Sequence, residues 1–419
     1  MARTVHIIGA GLAGLAAAIR LAGSGATIVV HEATAQPGGR CRSYFDRAIA
    51  MTIDNGNHLV LSGNHAVLGF AREIGSAARL IGPAAAEFPF IDLRSNERWT
   101  LRIGDGLPWW ILDPGRRPPG TRLGEYVRAG RLLWIPRDDV TVPEVVDCSG
   151  GLYQRLLHPV LLAALNIDPR EGSAALASAI FRETLIAGGR SCRPLIARDG
   201  LSPVLIEPAI DALRQRNASV RLEHELRAFG FSGDRVSGLD FGTETIRLDP
   251  GDAVVLAVPA HAAAMLLPDL PVPDATRAIA NAHFGIDPPA TFPPMIGVIN
   301  GTVEWIFAFP GRLSVTISSA DRLMDVPRAE LAQTIWKEVS DVAGIAAELP
   351  PWQIVRERRA TFAATPEQNA RRPATATRWQ NLFLAGDWTA TGLPATLESA
   401  VRSGNRAAEL AARIVGGGA

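Results

Sequence analysis

Lysine is almost absent from this sequence. Lys337 is the only lysine among the 42 basic residues, and the others are arginines. The 42 acidic residues balance them, so the formal net charge is zero and no overall positive field favours binding to nucleic acid. The three cysteines, Cys41, Cys148 and Cys192, are odd in number and far apart. Their spacing gives neither a disulfide framework nor a metal site, and it fits a reducing cytoplasm.

Long apolar runs are also missing. No stretch approaches the roughly eighteen uninterrupted apolar residues of a membrane-spanning helix. Arg3 precedes an alanine-rich apolar segment, as in a signal peptide, but a glycine motif explains that segment better, and we expect no cleaved signal. With 419 residues, 47% hydrophobic and 20% charged, the chain is long enough for two globular domains. We therefore expect a cytoplasmic protein without a membrane span.

The segment from residue 5 to residue 32 has the pattern of a βαβ unit. Apolar strands at Val5–Ile8 and Thr27–Val30 flank an alanine-rich helical segment, and Glu32 follows the second strand. The turn between the first strand and the helix is Gly9, Ala10, Gly11, Leu12, Ala13 and Gly14. In such a G-x-G-x-x-G turn the glycines allow a tight bend, close approach of a pyrophosphate and helix packing, while the acid binds the ribose hydroxyls. The segment predicts an adenine dinucleotide site on an α/β, Rossmann-like domain.

Two further motifs fit the same site. Gly38, Gly39 and Arg40 follow Glu32 closely, and the glycines would let a loop lie across a phosphate that the arginine contacts. Near the end of the chain, an apolar strand leads into Gly386 and Asp387. A helix then opens in the segment that begins Pro394, Ala395, Thr396. Its N-terminal N–H groups could face an electron-rich ligand edge.

Together these motifs resemble the superfamily of FAD-dependent amine oxidases, phytoene desaturases and protoporphyrinogen oxidases. The resemblance implies FAD as the cofactor, with Asp387 at the ribityl or pyrophosphate portion and backbone near Leu226 at the adenine. It also implies a loop beside the flavin ring, formed by Asn55, Gly56, Asn57 and His58. The fold expected is a glutathione-reductase-like FAD-binding domain of the amine oxidase type, interleaved with an α+β substrate-capping domain. We assign residues 1–60, 196–260 and 376–419 to the first domain, and 61–195 and 261–375 to the second.

Apolar periodicity predicts further strands and a helix. A buried parallel strand is expected at 252–259, and a strand at 219–229 is followed by a hairpin turn at 232–234. In the capping domain we expect antiparallel strands at 303–309 and 314–318, a helix at 329–339 and a strand at 352–362.

A narrower resemblance covers essentially the whole chain. Phrases such as DNGNHLVLSGNH at 54–65, NAHF at 281–284 and AGDWTATGLPATLESAVRSG at 385–404 are similar to those of the hydroxysqualene dehydroxylase family. The resemblance implies reductive removal of the hydroxyl from a C30 polyprenoid alcohol in squalene and hopanoid synthesis. Such a reaction needs a general acid at the leaving oxygen, and Asp54, His58 and Glu398 are the candidates. His58 is favoured, while Glu398 has a structural helix cap as its alternative role.

The implied substrate is a long apolar polyprenoid, so its site should be an apolar tunnel in the capping domain. Trp109, Trp110, Trp134 and Leu133 could contact the inner face of the cytoplasmic membrane, from which such a lipid is delivered, or could be ordinary core. The alternative functions are a carotenoid-type desaturase or isomerase, an amine oxidase, and a non-catalytic flavoprotein. Lys337 is poorly placed for the flavin lysine of amine oxidases. No second nucleotide motif identifies the electron donor, which could be NAD(P)H or a redox partner.

Overall fold

A five-stranded parallel sheet forms the base of the FAD-binding domain. The computed structural model describes residues 3–134, 139–346 and 348–416. The strands of this sheet are β1 (Thr4–Ile8), β2 (Thr27–His31), β10 (Ser219–Arg221), β14 (Ala253–Leu256) and β20 (Leu382–Leu384). Their order is β10-β2-β1-β14-β20, and every adjacent pair is parallel. The strand predicted at 252–259 is confirmed as β14, which is buried along its whole length.

Two helices from opposite ends of the chain pack together on this sheet. They are α1 (Leu12–Leu21) and α13 (Leu397–Val415). Gly404 of α13 makes the close approach possible, because a Cβ there would lie 2.2 Å from the Ala13 carbonyl oxygen. The predicted Rossmann-like α/β fold is confirmed, and its completion requires the C-terminal helix.

A small antiparallel sheet of β11 (Ala228–Ser232), β12 (Arg235–Asp240) and β13 (Thr245–Arg247) adjoins the parallel sheet. The predicted hairpin is confirmed, since Ser232 pairs with Arg235 around the turn. The strand predicted at 219–229 is wrong in its extent, because β10 ends at Arg221 and β11 starts at Ala228. The chain bends between them, and Glu223 takes the left-handed conformation with φ +52°.

The capping domain is built on a seven-stranded sheet. Its strands are β7 (Ala86–Asp92), β8 (Glu97–Ile103), β15 (Thr276–Phe284), β16 (Met295–Ile299), β17 (Trp305–Phe309), β18 (Arg312–Ile317) and β19 (Trp352–Phe362). Their order is β19-β15-β18-β17-β16-β7-β8, and only the β16–β7 pair is parallel. The predicted strands β17, β18 and β19 are confirmed, as is the predicted helix, which extends as α11 (Arg328–Ala343).

The two faces of this sheet carry different cores. Helix α11 covers one face, where Ile335 and Val339 pack in a cluster with Val315 and other small aliphatic side chains of the sheet. On β17 the alternate residues Trp305, Phe307 and Phe309 belong instead to a cluster on the other face. That second cluster also takes in helices α5 (Gly150–Leu152), α6 (His158–Leu165) and α7 (Ala174–Glu183). Alternation along the strand therefore gives the sheet an aromatic face under these helices.

The remaining elements are small sheets and further helices. The small sheets are β3 (Ser43–Asp46) with β4 (Met51–Asp54), and β5 (Leu59–Leu61) with β9 (Pro194–Ala197) and β6 (Leu80–Ile81). The other helices are α2 (His65–Glu73), α3 (Leu123–Ala129), α4 (Val142–Val145), α8 (Gly189–Cys192), α9 (Glu207–Gln215), α10 (Ala260–Leu266) and α12 (Pro366–Ala370).

Helix α2 lies on the other side of the predicted domain boundary at residue 60. Its buried residues Val67, Phe70 and Ala71 pack in one cluster with α1, α9 and α13. Its amphipathic pattern alone gave no indication of which domain would bury the apolar face. The first segment of the FAD-binding domain therefore extends beyond residue 60 to include α2.

Candidate active site

The phosphate turn has the geometry that the glycine motif predicts. Gly9 has φ +107°, and its N–H donates to the His31 carbonyl at 2.7 Å. A Cβ at Gly14 would lie 1.9 Å from the Gly9 carbonyl oxygen, whereas a Cβ at Gly11 would meet no atom within 4 Å. Within the described residues no side chain caps the first turn of α1. The turn therefore leaves open space beside free N–H groups at a helix N-terminus, which suits a pyrophosphate.

Glu32 lies directly beside this turn. Its Oε2 accepts a hydrogen bond from the Ala10 N–H at 2.8 Å. Its Oε1 accepts from the N–H and the hydroxyl of Thr34 at 3.0 and 2.8 Å. These donors fix the carboxylate at the end of β2, where a ribose would lie next to the phosphates.

The second glycine motif meets both the first motif and the C-terminal motif. Gly38 donates to the Ala10 carbonyl at 2.8 Å, and Gly38 and Gly39 both have positive φ, at +109° and +55°. Arg40 then forms an ion pair with Asp387 at 2.7 Å. This contact holds the pKa of Arg40 above its usual value. Three motifs that are far apart in sequence therefore converge on one place.

The C-terminal segment positions its own helix. Gly386 has φ +143° and donates to the Ser403 hydroxyl at 2.8 Å. The Thr396 hydroxyl accepts from the Ser399 N–H, so Thr396 is the N-cap of α13. Pro394 and Ala395 lie just before this cap. Asp387 and the start of α13 thus adjoin the Arg40 contact, while the contacts of Pro394, Ala395 and Leu226 with the cofactor stay predictions.

The loop at 55–58 lies between the two domains. The Asn281 side chain of β15 donates to the Asn55 carbonyl at 3.4 Å, and a Cβ at Gly56 would lie 3.3 Å from its amide nitrogen. The Asn57 amide donates to the Val315 carbonyl at 3.2 Å and to the Thr316 hydroxyl at 3.1 Å. The Val315 carbonyl can only accept, and the Thr316 hydroxyl uses its proton to donate to Asn281 Oδ1 at 2.9 Å. Both therefore accept from the Asn57 amide nitrogen, which fixes the orientation of the amide and turns Oδ1 elsewhere.

Asn57 Oδ1 is a buried acceptor without a hydrogen-bond donor among the described residues. An unpaired acceptor at a buried site is costly, typically about 1–3 kcal/mol, and such groups point to a missing partner. Hydrogen bonds therefore join the loop at 55–58 to β15 and β18, and its place beside the flavin ring stays a prediction.

Two of the three candidate acids are engaged in structural contacts. Asp54 accepts from the Ser43 hydroxyl at 2.5 Å and from the Leu201 N–H at 2.8 Å, while burial raises its pKa. Glu398 is 2% exposed, and its two oxygens accept from the Ala66 and Val67 N–H groups at the start of α2. Glu398 therefore caps the N-terminus of α2, beside which α13 packs. A structural helix cap is the alternative role that the sequence offered for this residue. The structure therefore argues against Glu398 as the acid.

His58 differs from these two acids. Its imidazole is half-buried, and no side-chain hydrogen bond of His58 is found in the described parts of the chain. Burial, aided by the nearby charge of Arg40, lowers the pKa of His58 to about 4, and Asp387 opposes that shift. His58 therefore lies within electrostatic reach of the Arg40–Asp387 pair and keeps both ring nitrogens available.

Two further groups could not be predicted from the sequence. Arg372 is buried and donates to the carbonyls of Asp387 and Thr389, which shapes the turn after Asp387. Burial raises the pKa of Glu304 to about 7, where its carboxylate accepts from the Ser318 N–H at 2.8 Å. Neither residue stands in a recognisable motif, so no local signal could have found them.

Lys337 lies on α11 and is exposed. Helix α11 covers the face of the capping sheet opposite to Trp305, Phe307 and Phe309. The position does not suit the flavin lysine that the amine oxidase alternative would need. No helix in the described ranges is both long and apolar enough to cross a membrane.

Comparison with known proteins identifies the family of the chain. Residues 12–412 match the family of flavin containing amine oxidoreductases, and the chain belongs to that family. The cofactor is FAD, and the open space at Gly11, the free helix terminus and the placement of Glu32 fit it.

The narrower resemblance is also confirmed. The chain is 61% identical over 412 residues to a hydroxysqualene dehydroxylase of Rhodopseudomonas palustris, with 98% of each chain covered. A hydroxysqualene dehydroxylase of Sinorhizobium fredii is 58% identical, with 98% of this chain and 99% of the relative covered. Among solved structures, cyclohexylamine oxidase from Brevibacterium oxydans has a TM-score of 0.71 at 17% identity, with 99% of each chain covered. Putrescine oxidase bound to putrescine has a TM-score of 0.67 at 18% identity, with 98% of each chain covered.

Proposed function

We propose that this protein removes the hydroxyl of hydroxysqualene reductively and releases squalene. The observation that carries the proposal is identity of 61% and 58%, over nearly the whole chain, to two relatives named for that activity. In this reaction the C–O bond breaks, the oxygen takes a proton and leaves as water, and a hydride adds to the carbon. FAD, when bound and reduced, supplies the hydride. The protein must hold the hydrocarbon, orient the hydroxyl and deliver the proton.

The aromatic face of the capping sheet is the proposed hydrocarbon site. Trp305, Phe307 and Phe309 of β17 form one apolar cluster with Leu161 of α6 and with Leu156, which lies between α5 and α6. The same cluster reaches the FAD-binding domain, since it includes Leu256 of β14 and Trp388 after Asp387. These side chains are already buried against one another, so a polyprenoid would have to separate the two surfaces. Its own apolar area would then contribute about 25 cal/mol for each square ångström removed from water.

Asn57 and His58 are the proposed polar contacts of the substrate. Asn57 Oδ1 is a fixed acceptor that could receive the substrate O–H. His58 would donate the proton to the leaving oxygen. Because its pKa is lowered to about 4, the protonated fraction at neutral pH is small and rises about tenfold for each unit of acidification.

A single-turnover experiment tests the proposed reaction and the role of His58. Photoreduced holoprotein with saturating FAD is mixed anaerobically with hydroxysqualene, while flavin absorbance and extracted squalene are followed. The expected result is flavin reoxidation with stoichiometric squalene, at a rate that rises as the pH falls towards 5. His58→Gln should bind FAD and lose this rate and its pH dependence, and unchanged turnover in that variant would refute the assignment. Reaction of oxidised flavin with a polyene precursor would instead indicate a desaturase.

An exposed apolar surface in the capping domain supports contact with a membrane. Trp109 and Trp134 are 69% and 85% exposed, and Leu107, Leu112 and Val127 are also exposed. Val127 lies on α3, and Trp109 and Leu112 lie on the 3-10 helix Trp109–Leu112, which Leu107 precedes. Trp134 directly follows the neighbouring 3-10 helix Gly130–Leu133. Of the four residues that the sequence offered for this role, Trp110 is core at 5% exposed, since it packs edge-on against Tyr126 of α3, and Leu133 is half-buried.

The excess of positive charge around this surface indicates which kind of membrane it binds. Residues 105–134 contain five arginines and three acidic residues, and Arg116, Arg122, Arg128 and Arg131 are exposed. We propose peripheral docking of this surface on anionic lipid, from which an apolar substrate can enter.

Flotation with vesicles of phosphatidylcholine, with and without phosphatidylglycerol, tests this docking. Trp109→Ser with Trp134→Ser should lower the bound fraction, and Phe231→Ser, which changes an exposed residue elsewhere, should not. Equal flotation of all three proteins would contradict the proposal.

A further inference from the structure

A buried arginine of the capping domain holds the loop that carries Asp387. We call residues 386–391 the Asp387 loop. The Arg372 side chain belongs to a residue that is 7% exposed, and its Nη2 donates to the Asp387 carbonyl at 3.3 Å and to the Thr389 carbonyl at 2.5 Å. The same nitrogen donates to the Thr391 hydroxyl at 3.1 Å. Three acceptors of one loop therefore surround a single nitrogen of Arg372.

The capping domain fixes the guanidinium from its other side. Nη1 of Arg372 donates to the side-chain oxygen of Asn369 in α12 at 3.1 Å. The guanidinium carbon lies 4.8 Å from the ring centroid of Phe362, the last residue of β19, which is within the range of a cation–π contact. Asn369 is held in turn, because its amide donates to Asp139 at 2.8 Å. The position of the guanidinium is therefore set by the capping domain.

The Asp387 loop lies at the edge of the parallel sheet where the phosphate turn also lies. The loop follows β20 and the turn follows β1, and carboxyl ends of parallel strands share one edge, where cofactors bind. Arg40, which follows the second glycine motif, pairs with the Asp387 carboxylate at 2.7 Å. The Asp387 loop is thus joined to the glycine motifs by an observed contact.

Two arginines therefore hold Asp387 against the end of β19. Arg40 binds the carboxylate of Asp387 and donates to the Ala360 carbonyl of β19 at 2.5 Å. Arg372 binds the main-chain carbonyl of Asp387 and packs on the ring of Phe362. Because Ala360 and Phe362 are alternate residues of one strand, both arginines are anchored at the same end of the capping sheet.

The contacts of residue 372 require the shape of arginine. Its two terminal nitrogens point to different elements, Nη1 to α12 and Nη2 to the Asp387 loop. A planar guanidinium can donate in both directions at once, whereas a lysine ammonium is a single point of charge on a flexible stem. Burial lowers the pKa of Arg372 to about 10 and Asp387 opposes the shift, so the group is charged at neutral pH.

We propose that Arg372 is a positioning residue of the FAD site, through which the capping domain sets the place of the Asp387 carboxylate. Without the guanidinium, the carbonyls of Asp387 and Thr389 lose this donor, while the bond from the Ala390 N–H to the Pro373 carbonyl at 2.9 Å remains. The carboxylate is then less well held for the cofactor. The inference goes beyond the dehydroxylation and rests on FAD as the cofactor, with Asp387 among its contacts.

FAD affinity of the folded apoprotein tests this role. FAD is titrated into wild type, Arg372→Met and Arg372→Lys well below their melting temperatures, and flavin fluorescence reports binding. Arg372→Met removes the charge and the donors and should weaken binding at least about tenfold. Arg372→Lys keeps the charge but not the two directions of donation, and it should still weaken binding at least about fivefold.

Arg356→Lys is the matched control. Arg356 also lies on β19, donates to two main-chain carbonyls, those of Met324 and Val326, and has a buried Nε without an acceptor among the described residues, as Arg372 has. Its acceptors precede α11 and are not part of the Asp387 loop. Melting of the apoproteins should show a loss of stability in both lysine variants, while Arg356→Lys should change FAD affinity by less than about twofold.

The two lysine variants also decide against the proposal if it is wrong. A folded Arg372→Lys protein with wild-type FAD affinity would overturn it, because charge alone would then suffice or the residue would have no role at the cofactor. Equal losses of affinity in Arg356→Lys and Arg372→Lys would overturn it as well, since they would indicate a general effect of a weakened capping domain. Both outcomes are independent of whether the protein turns over hydroxysqualene.

Discussion

Glu398→Ala should destabilise the protein while leaving its chemistry in place. The Glu398 carboxylate is buried and accepts from the Ala66 and Val67 N–H groups at 3.0 Å each. Arg402 donates to the same carboxylate at 2.8 Å and also pairs with Glu183 at 2.7 Å. Alanine would leave two amides of α2 without an acceptor and would remove one of the two partners of Arg402.

The size of the effect follows from these contacts. Loss of a helix N-cap costs about 1–2 kcal/mol, and loss of a charge-assisted hydrogen bond costs about 1.5–3 kcal/mol. The second value is discounted because Arg402 is one-third exposed and keeps Glu183. We expect about 3 kcal/mol for Glu398→Ala and about half of that for Glu398→Gln, which retains one acceptor oxygen.

Urea denaturation of the holoprotein, followed by tryptophan fluorescence, measures the stability of both variants. The single-turnover rate with saturating FAD measures their chemistry and should stay within about threefold of wild type, because neither variant removes a group that we place at the reacting atoms. Glu398→Gln with a wild-type urea midpoint and a rate lowered by more than about a hundredfold would refute this reasoning and restore Glu398 as the acid.

Two pairs of measurements extend the test to other sites. Gly14→Ala should lower both stability and FAD affinity, because the new Cβ would lie 1.9 Å from the Gly9 carbonyl oxygen. Gly11→Ala should lower FAD affinity alone, because its Cβ would meet no protein atom within 4 Å. Melting of the apoproteins and FAD titration separate these cases, and equal melting of the two would contradict the packing argument. Glu304→Gln should gain stability relative to wild type as the pH rises. The pKa of Glu304 is raised to about 7 in the folded state. The stability of wild type is therefore undiminished by this group below about pH 4.5, where the carboxyl is neutral in both the folded and the unfolded state. As the pH rises through about 7 the folded protein loses stability, by about 3 kcal/mol at pH 8. Urea midpoints at about pH 5 and about pH 8 check this, and a constant difference between the two proteins would count against it.

The parts of the fold that the sequence predicted well are those encoded by neighbouring residues. The phosphate turn needs Gly9 and Gly14 at fixed spacing, and Glu32 must follow the next strand, so one short segment contains the whole signal. The strand at 352–362 was predicted with its observed bounds, because its length and composition suffice.

The parts that the sequence did not predict depend on packing between distant segments. Trp109 and Trp110 are adjacent, yet one is 69% and the other 5% exposed, because only Trp110 points towards Tyr126 of α3. The free acceptor of Asn57 exists only because β18 binds the amide nitrogen of that residue. Burial and unmatched hydrogen bonds are tertiary properties, so residue type and spacing left the roles of these residues open.

The order of the parallel sheet has a consequence for synthesis of the protein. Strand β1 lies between β2, which follows it closely, and β14, which is made after the whole first capping segment, while β20 and α13 come last. The phosphate turn therefore leaves the ribosome long before α13 is available to pack against helix α1. The nascent chain should gain FAD only after release, and until then the apolar face of α1 is a surface that chaperones can bind.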